Sequence, residues 1–132
     1  MEIVADASVF LAVVLNEIDE IDRDWIICNT AGRSIISPEV LPYEIGNALI
    51  AMKRKRLLNG REILRAFDLS QRIAVRMVPV NISDAMKIAL RFNISAYDAY
   101  YLQCCLENKL PLVSLDDRMC DVAGSPEIKV VE

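Results

Sequence analysis

Five short runs dominated by apolar residues recur along the chain: EIVAD at 2–6, SIIS at 34–37, VRMVPVN at 75–81, LPLVSL at 110–115 and EIKVV at 127–131. Strands that are apolar on both faces must be covered on both faces, and the segments between these runs carry helical patterning. This alternation points to one α/β domain over residues 1–132, with a central parallel sheet flanked by helices. The expected helices begin at Ser8, within the acidic stretch 16–32 (stopping at Gly32), and at Ser37-Pro38. Others follow Asn59-Gly60, the cap Ser83-Asp84, Ser95, and Asp116-Asp117. EIKVV is expected to close the sheet as an edge strand.

Four acids stand in unusual places. Asp6 lies between the apolar runs Ile3–Ala5 and Val9–Leu15, and Asp116 ends LPLVSL. A buried, unpaired carboxylate is costly, and ligands of open parallel sheets sit outside the carboxyl ends of the strands. Glu44 borders the helical stripe Leu41, Ile45, Ala48, Leu49 and Met52, while Asp98 shares a face with Tyr101, Leu102 and Cys105. Each acid has a local alternative. Asp6 and Asp116 fit helix caps, Glu44 fits an arginine partner, and Ser95-x-x-Asp98 and Ser114-x-x-Asp117 fit capping boxes. Convergence accounts for all four at once. Carboxylates about 4 Å apart repel by roughly 1 kcal/mol in water and about 4 kcal/mol at an effective dielectric of 20. A hard divalent cation such as Mg²⁺ or Mn²⁺ removes that conflict using oxygen ligands alone.

Composition narrows the chemistry further. The chain has no histidine, which removes Ser-His-Asp and Cys-His catalysis and histidine metal sites. Cys28, Cys104, Cys105 and Cys120 show no C-x-x-C spacing and are expected to be buried small hydrophobes. The longest apolar run, Val9–Leu15, falls short of the roughly 20 residues a membrane span needs, and the chain starts without the basic segment of a signal peptide. A cytoplasmic location is expected. The formal charge of −4 hides an asymmetry: residues 1–31 carry seven acids and one base, residues 53–76 eight bases and two acids. The basic stretch from Lys53 through Arg76 fits either a solvated helix end or a phosphate-attracting patch.

IVADASVFLAVVLN, SPEVLPYEIGNAL and ISAYDAYYLQCCLENKLPLVSLDD together resemble the PIN-domain family, most closely the VapC-type toxins of toxin–antitoxin pairs. The resemblance runs in order along nearly the whole chain. It implies a three-layer fold with a parallel sheet of four or five strands, and metal-dependent endoribonuclease activity. It matches Asp6, Glu44, Asp98 and Asp116 to the family's catalytic acids, with Ser114 in place of the family's threonine. One or two Mg²⁺ or Mn²⁺ ions are implied on Asp6, Asp98 and Asp116, with Glu44 binding directly or through water and Asp117 as an extra ligand. Ser8, Asn47 and Ser114 are implied to orient ligands, waters or a phosphate oxygen. A VapB-type antitoxin and a second copy of the chain are the implied partners, and the basic patch is open to RNA or to an acidic antitoxin segment.

Two other metal-dependent α/β classes fit less well. A phospho-acceptor receiver needs an aspartate at the end of the middle strand, where Asn81 stands, and a haloacid-type phosphatase needs an acid at Ser8. A PIN-like RNA-binding or assembly subunit with little catalysis is the remaining alternative.

Overall fold

The computed structural model describes residues 1–15 and 20–124; the EIKVV run and residues 16–19 of the acidic stretch lie outside the described residues. The elements in order are β1 (Glu2–Ala5), α1 (Ala7–Leu15), α2 (Glu20–Thr30), β2 (Ser34–Pro38), α3 (Leu41–Arg54), α4 (Gly60–Gln71), β3 (Arg76–Val78), α5 (Ile82–Phe92), α6 (Ala96–Asn108), β4 (Leu112–Val113) and α7 (Asp117–Ala123). The four described strands are all parallel, in the order β3-β2-β1-β4.

That order explains where the helices sit. The β1→β2 and β2→β3 crossovers step in one direction, so right-handed connections place α1 to α4 on one face. The β3→β4 crossover returns across the sheet and places α5 and α6 on the other. Accordingly α1, α3 and α4 pack together, while α6 lies against β1, β2 and β4 with α5 alongside it. Ile3, Val4 and Ala5 are each 0 % exposed. Because successive strand side chains point to opposite faces, both faces of β1 are covered, as its apolar run requires.

The order of the strands reverses between β1 and β4, since β1 leads outward to β2 on one side and pairs with the last described strand on the other. Val4 pairs with Leu112 and Ala5 with Val113. The residues that follow these two strands, Asp6 and Ser114, therefore emerge side by side at the topological switch point, where open sheets bind ligands.

Three local expectations are corrected. Ser37-Pro38 does not start a helix; it ends β2, with Pro38 paired to Val78 and the Ser37 hydroxyl donating to the Ala5 carbonyl at 2.6 Å. The helix begins at Leu41 after Val40, which offers no side-chain cap, and Pro42 occupies its first turn. Cross-sheet pairing outweighs the local Ser-Pro signal. The cap of α5 is Asn81 in place of Ser83-Asp84, its side chain accepting from the Asp84 N–H at 3.0 Å. The cysteines divide: Cys104 and Cys105 are buried in α6, but Cys28 and Cys120 are exposed. Met119, Val122 and Ala123 form the buried side of α7, and Cys120, though exposed as a residue, donates its thiol to the Ser114 carbonyl at 3.5 Å. Elsewhere local signals hold, as at Asn59, which forms a reciprocal capping box with Glu62, and at Gly32, whose φ of 70° follows the end of α2.

Candidate active site

Asp6 is the best-anchored acid. It is 5 % exposed, and its backbone N–H donates to the Val113 carbonyl at 3.4 Å. Its Oδ1 accepts from the Ser8 N–H at 3.1 Å and from the Ser8 hydroxyl, and its Oδ2 accepts from the Ser114 hydroxyl. Both hydroxyls also accept: Leu115 N–H donates to Ser8 Oγ and Asp116 N–H to Ser114 Oγ, each at 3.0 Å. Ser8 and Ser114 thus tie the start of α1 to the chain leaving β4. Burial raises the Asp6 pKa, and the donors from Ser114, Ser8 and Val9 only partly offset it.

Glu44 and Asp98 arrive from the two helix layers. Glu44 lies in the first turn of α3, and its Oε2 is buried without a hydrogen-bond partner. Burial and the charges of Asp98 and Asp6 push its pKa up to about 7. Among the described residues, the arginine partner that the sequence allowed is not seen at Glu44 Oε2. Asp98, half-buried, opens α6, where the Ser95 hydroxyl accepts from the Asp98 N–H at 3.1 Å. Only that half of the capping box forms, so the Asp98 carboxylate is not engaged by it. Burial and the charge of Asp116 raise its pKa, while Ser95 and Arg118 pull it down.

Asp116 is exposed and caps α7 by accepting from the Met119 N–H at 3.1 Å. Two of the four acids, Asp6 and Asp116, therefore combine a capping role with their place in the cluster. The mutual fields link Asp6 to Glu44, Glu44 to Asp98, and Asp98 to Asp116. Asp117 is exposed in the first turn of α7, and its field is felt at Cys120. Asn47 is exposed on α3, three residues beyond Glu44. Among the described residues, no three Asp, Glu, Cys or His side chains are arranged as a ready-made metal cage. The donor set is nonetheless all oxygen, crowded with like charge and left with an orphaned Glu44 oxygen, a combination that suits a hard cation.

A profile for the PIN domain matches residues 3–125. The chain belongs to the PIN domain family. It is 32% identical over 119 residues to Ribonuclease VapC9 of Mycobacterium tuberculosis and to VapC ribonuclease Mb0985 of Mycobacterium bovis, covering 90% of this chain and 89% of each relative. The crystal structure of PAE2754 from Pyrobaculum aerophilum has the same fold, with a TM-score of 0.64 and 24% identity over 92% of this chain and 84% of that one.

Within this PIN domain, two neighbours of the acids escape sequence reasoning. Arg118 reaches back to donate to the Phe92 and Asn93 carbonyls at 3.2 and 2.9 Å and tempers the charge at Asp98. Tyr101 reads as part of an apolar helix stripe, yet it is fully buried and its hydroxyl feels the charges of Glu44, Asp6 and Asp98. Its position three residues after Asp98 on the same helix face was the available signal.

The serine pair offers a direct check on how Asp6 is held. Ser114→Ala leaves the Asp116 N–H and Asp6 Oδ2 without their shared partner and is expected to destabilise the protein by about 1–3 kcal/mol. Urea denaturation should show most of this loss restored in Ser114→Thr, which keeps the hydroxyl. Equal stability of wild type and Ser114→Ala would contradict the bridging role.

Proposed function

We infer that this PIN domain is a metal-dependent endoribonuclease that hydrolyses RNA phosphodiester bonds as the toxin of a VapBC-type pair, acting as one domain over residues 1–132. The single observation that carries the reading is the buried, unpartnered Glu44 carboxylate oxygen in the field of Asp98 and Asp6, since among the described residues no cation pairs with Glu44. The relatives called VapC ribonucleases support the substrate class and the antitoxin partner.

Asp6, Asp98 and Asp116 are the residues that would hold one or two Mg²⁺ or Mn²⁺ ions, with Glu44 binding directly or through water and Asp117 as an outer candidate. When bound, such an ion supplies a water acidic enough to act as a nucleophile near neutral pH. Ser8 and Ser114 keep both Asp6 oxygens oriented, and Asn47 stands at the exposed rim where a phosphate oxygen would approach. Products with 5′-phosphate and 3′-hydroxyl ends are expected.

The basic stretch fits the RNA backbone or an acidic antitoxin segment. Two of its members are already engaged: Arg72 pairs with Asp68 and Arg76 with Glu2, both at 2.8 Å. Ile82, Met86 and Leu90 form an exposed apolar stripe at four-residue spacing on α5, which supports a second copy of the chain as a partner. Among the described residues no helix is long and apolar enough to cross a membrane. A cytoplasmic site of action accords with RNA as the substrate.

End-labelled RNA incubated with the protein and Mg²⁺ or Mn²⁺ tests the reading. Internal cleavage that chelation abolishes is the expected outcome, with binding that weakens steeply as salt rises. RNA bound but left uncut with either metal would favour the assembly-subunit alternative and overturn the nuclease.

A further inference from the structure

Tyr101 is 0 % exposed, and its hydroxyl oxygen is buried without a hydrogen-bond partner of normal geometry. Among the described residues, only one other buried side-chain oxygen or nitrogen is in that condition: Oε2 of Glu44. The two orphans belong to one neighbourhood. Burial apart, Glu44 is the strongest influence raising the Tyr101 pKa, followed by Asp6 and Asp98, and the hydroxyl lies near the Ala7 backbone at the start of α1. One orphan is a donor and the other an acceptor-only carboxylate. A buried polar group without a partner costs about 1–3 kcal/mol, so a buried donor and a buried acceptor, each without one and within the same cluster of charges, call for a functional account.

We propose that Tyr101 is the positioning residue for Glu44, its hydroxyl donating to Glu44 Oε2 when the site holds its cation, so that the other carboxylate oxygen is turned to the metal. The proposal rests on the metal-nuclease reading above and extends it to a group outside the acids. The location suits the role. Tyr101 lies on α6, which packs against the sheet, and it is fully buried, as are Leu102 and Cys105 of the same helix. A rigid ring holds a hydroxyl in place better than a mobile surface side chain does. Outer partners of this kind fix the orientation of a ligating carboxylate, and their loss typically weakens metal binding 10- to 100-fold.

The test compares wild type, Tyr101→Phe, Glu44→Gln and the double variant by titration calorimetry with Mn²⁺ and by RNA cleavage kinetics. Tyr101→Phe removes one oxygen that makes no hydrogen bond of normal geometry, so its urea midpoint without added metal is expected to match or exceed that of wild type. Its Mn²⁺ affinity is expected to fall about tenfold, and kcat to fall with KM for RNA unchanged. In the Glu44→Gln background the same substitution is expected to change neither quantity further, because the charged carboxylate it would orient towards the cation is gone. Wild-type Mn²⁺ affinity in Tyr101→Phe would overturn the proposal, as would losses that multiply with those of Glu44→Gln. A lowered urea midpoint with unchanged Mn²⁺ binding would instead assign the hydroxyl to the Ala7 backbone as a structural group. Wild-type protein that neither binds Mn²⁺ nor cuts RNA would remove the nuclease reading itself, and this proposal with it.

Discussion

Asp98→Asn is expected to lower RNA cleavage more than about 100-fold, beyond what loss of an outer-shell partner typically costs at a metal site. The substitution keeps shape and removes charge. The Asp98 N–H is already satisfied by Ser95, a bond that does not involve the carboxylate, so the start of α6 should form normally. The carboxylate sits among like charges: Asp116 raises its pKa, and it in turn raises that of Glu44. Neutralising it therefore relieves repulsion in the metal-free protein. Thermal unfolding without metal should occur at the wild-type temperature or slightly above, and the stabilisation that Mn²⁺ confers on wild type should largely disappear. Activity lost with the fold intact is the signature of a functional carboxylate. Equal cleavage by wild type and Asp98→Asn would reject the site.

The metal-free protein is expected to lose stability as the pH rises from about 4.5 to about 7, with Glu44 as the main cause. Its folded pKa of about 7 lies above its ordinary value of 4.5, so the native state binds the proton more tightly than the unfolded chain. Stability from this group is fully present below the unfolded pKa and is lost through the folded one. Burial raises Asp6 and Asp98 as well, which adds to the same slope. Glu44→Gln should flatten the profile and stabilise the metal-free protein at pH 8, while sharply reducing Mn²⁺ binding and cleavage. A cation reverses the sign of the local field. Added Mn²⁺ should therefore stabilise wild type far more at pH 8 than at pH 5. Urea denaturation at the two pH values, with and without Mn²⁺, measures all of these effects. A wild-type profile that is flat between pH 4.5 and 7 would show that Glu44 is solvated and unstressed, contrary to its burial.

Both results depend on a feature that mixes two uses of the same residues. Asp6 and Asp116 were each open to reading as caps or as ligands, and the structure shows the caps. Asp6 caps α1 through the Ser8 N–H, and Asp116 caps α7 through the Met119 N–H. A cap uses one lone pair of a carboxylate and leaves others for a second partner. Local and functional readings of an acid at a strand end are therefore compatible, and pattern alone does not separate them. Glu44 differs, because the only local alternative was an ion pair and none forms.

The apolar runs and the helical spacing between them were enough to specify a parallel α/β sheet, because covering both faces of a strand leaves few other architectures. They also placed Asp98 correctly, since Tyr101, Leu102 and Cys105 on its helix face are all fully buried. Helix starts were legible where the cap acts within three residues, as at Asn59 and Ser95. They were misread at Ser37-Pro38 and at Ser83, where strand pairing or a neighbouring asparagine competes. Only the tertiary structure decided that Ser114 bridges to Asp6 across 108 positions of chain, that Glu44 Oε2 is buried without a hydrogen-bond partner, and that the Tyr101 hydroxyl feels the charge of the acids. The reason is physical: local signals report which conformation a segment prefers, whereas burial and the field at a side chain are set by whatever distant segments pack around it.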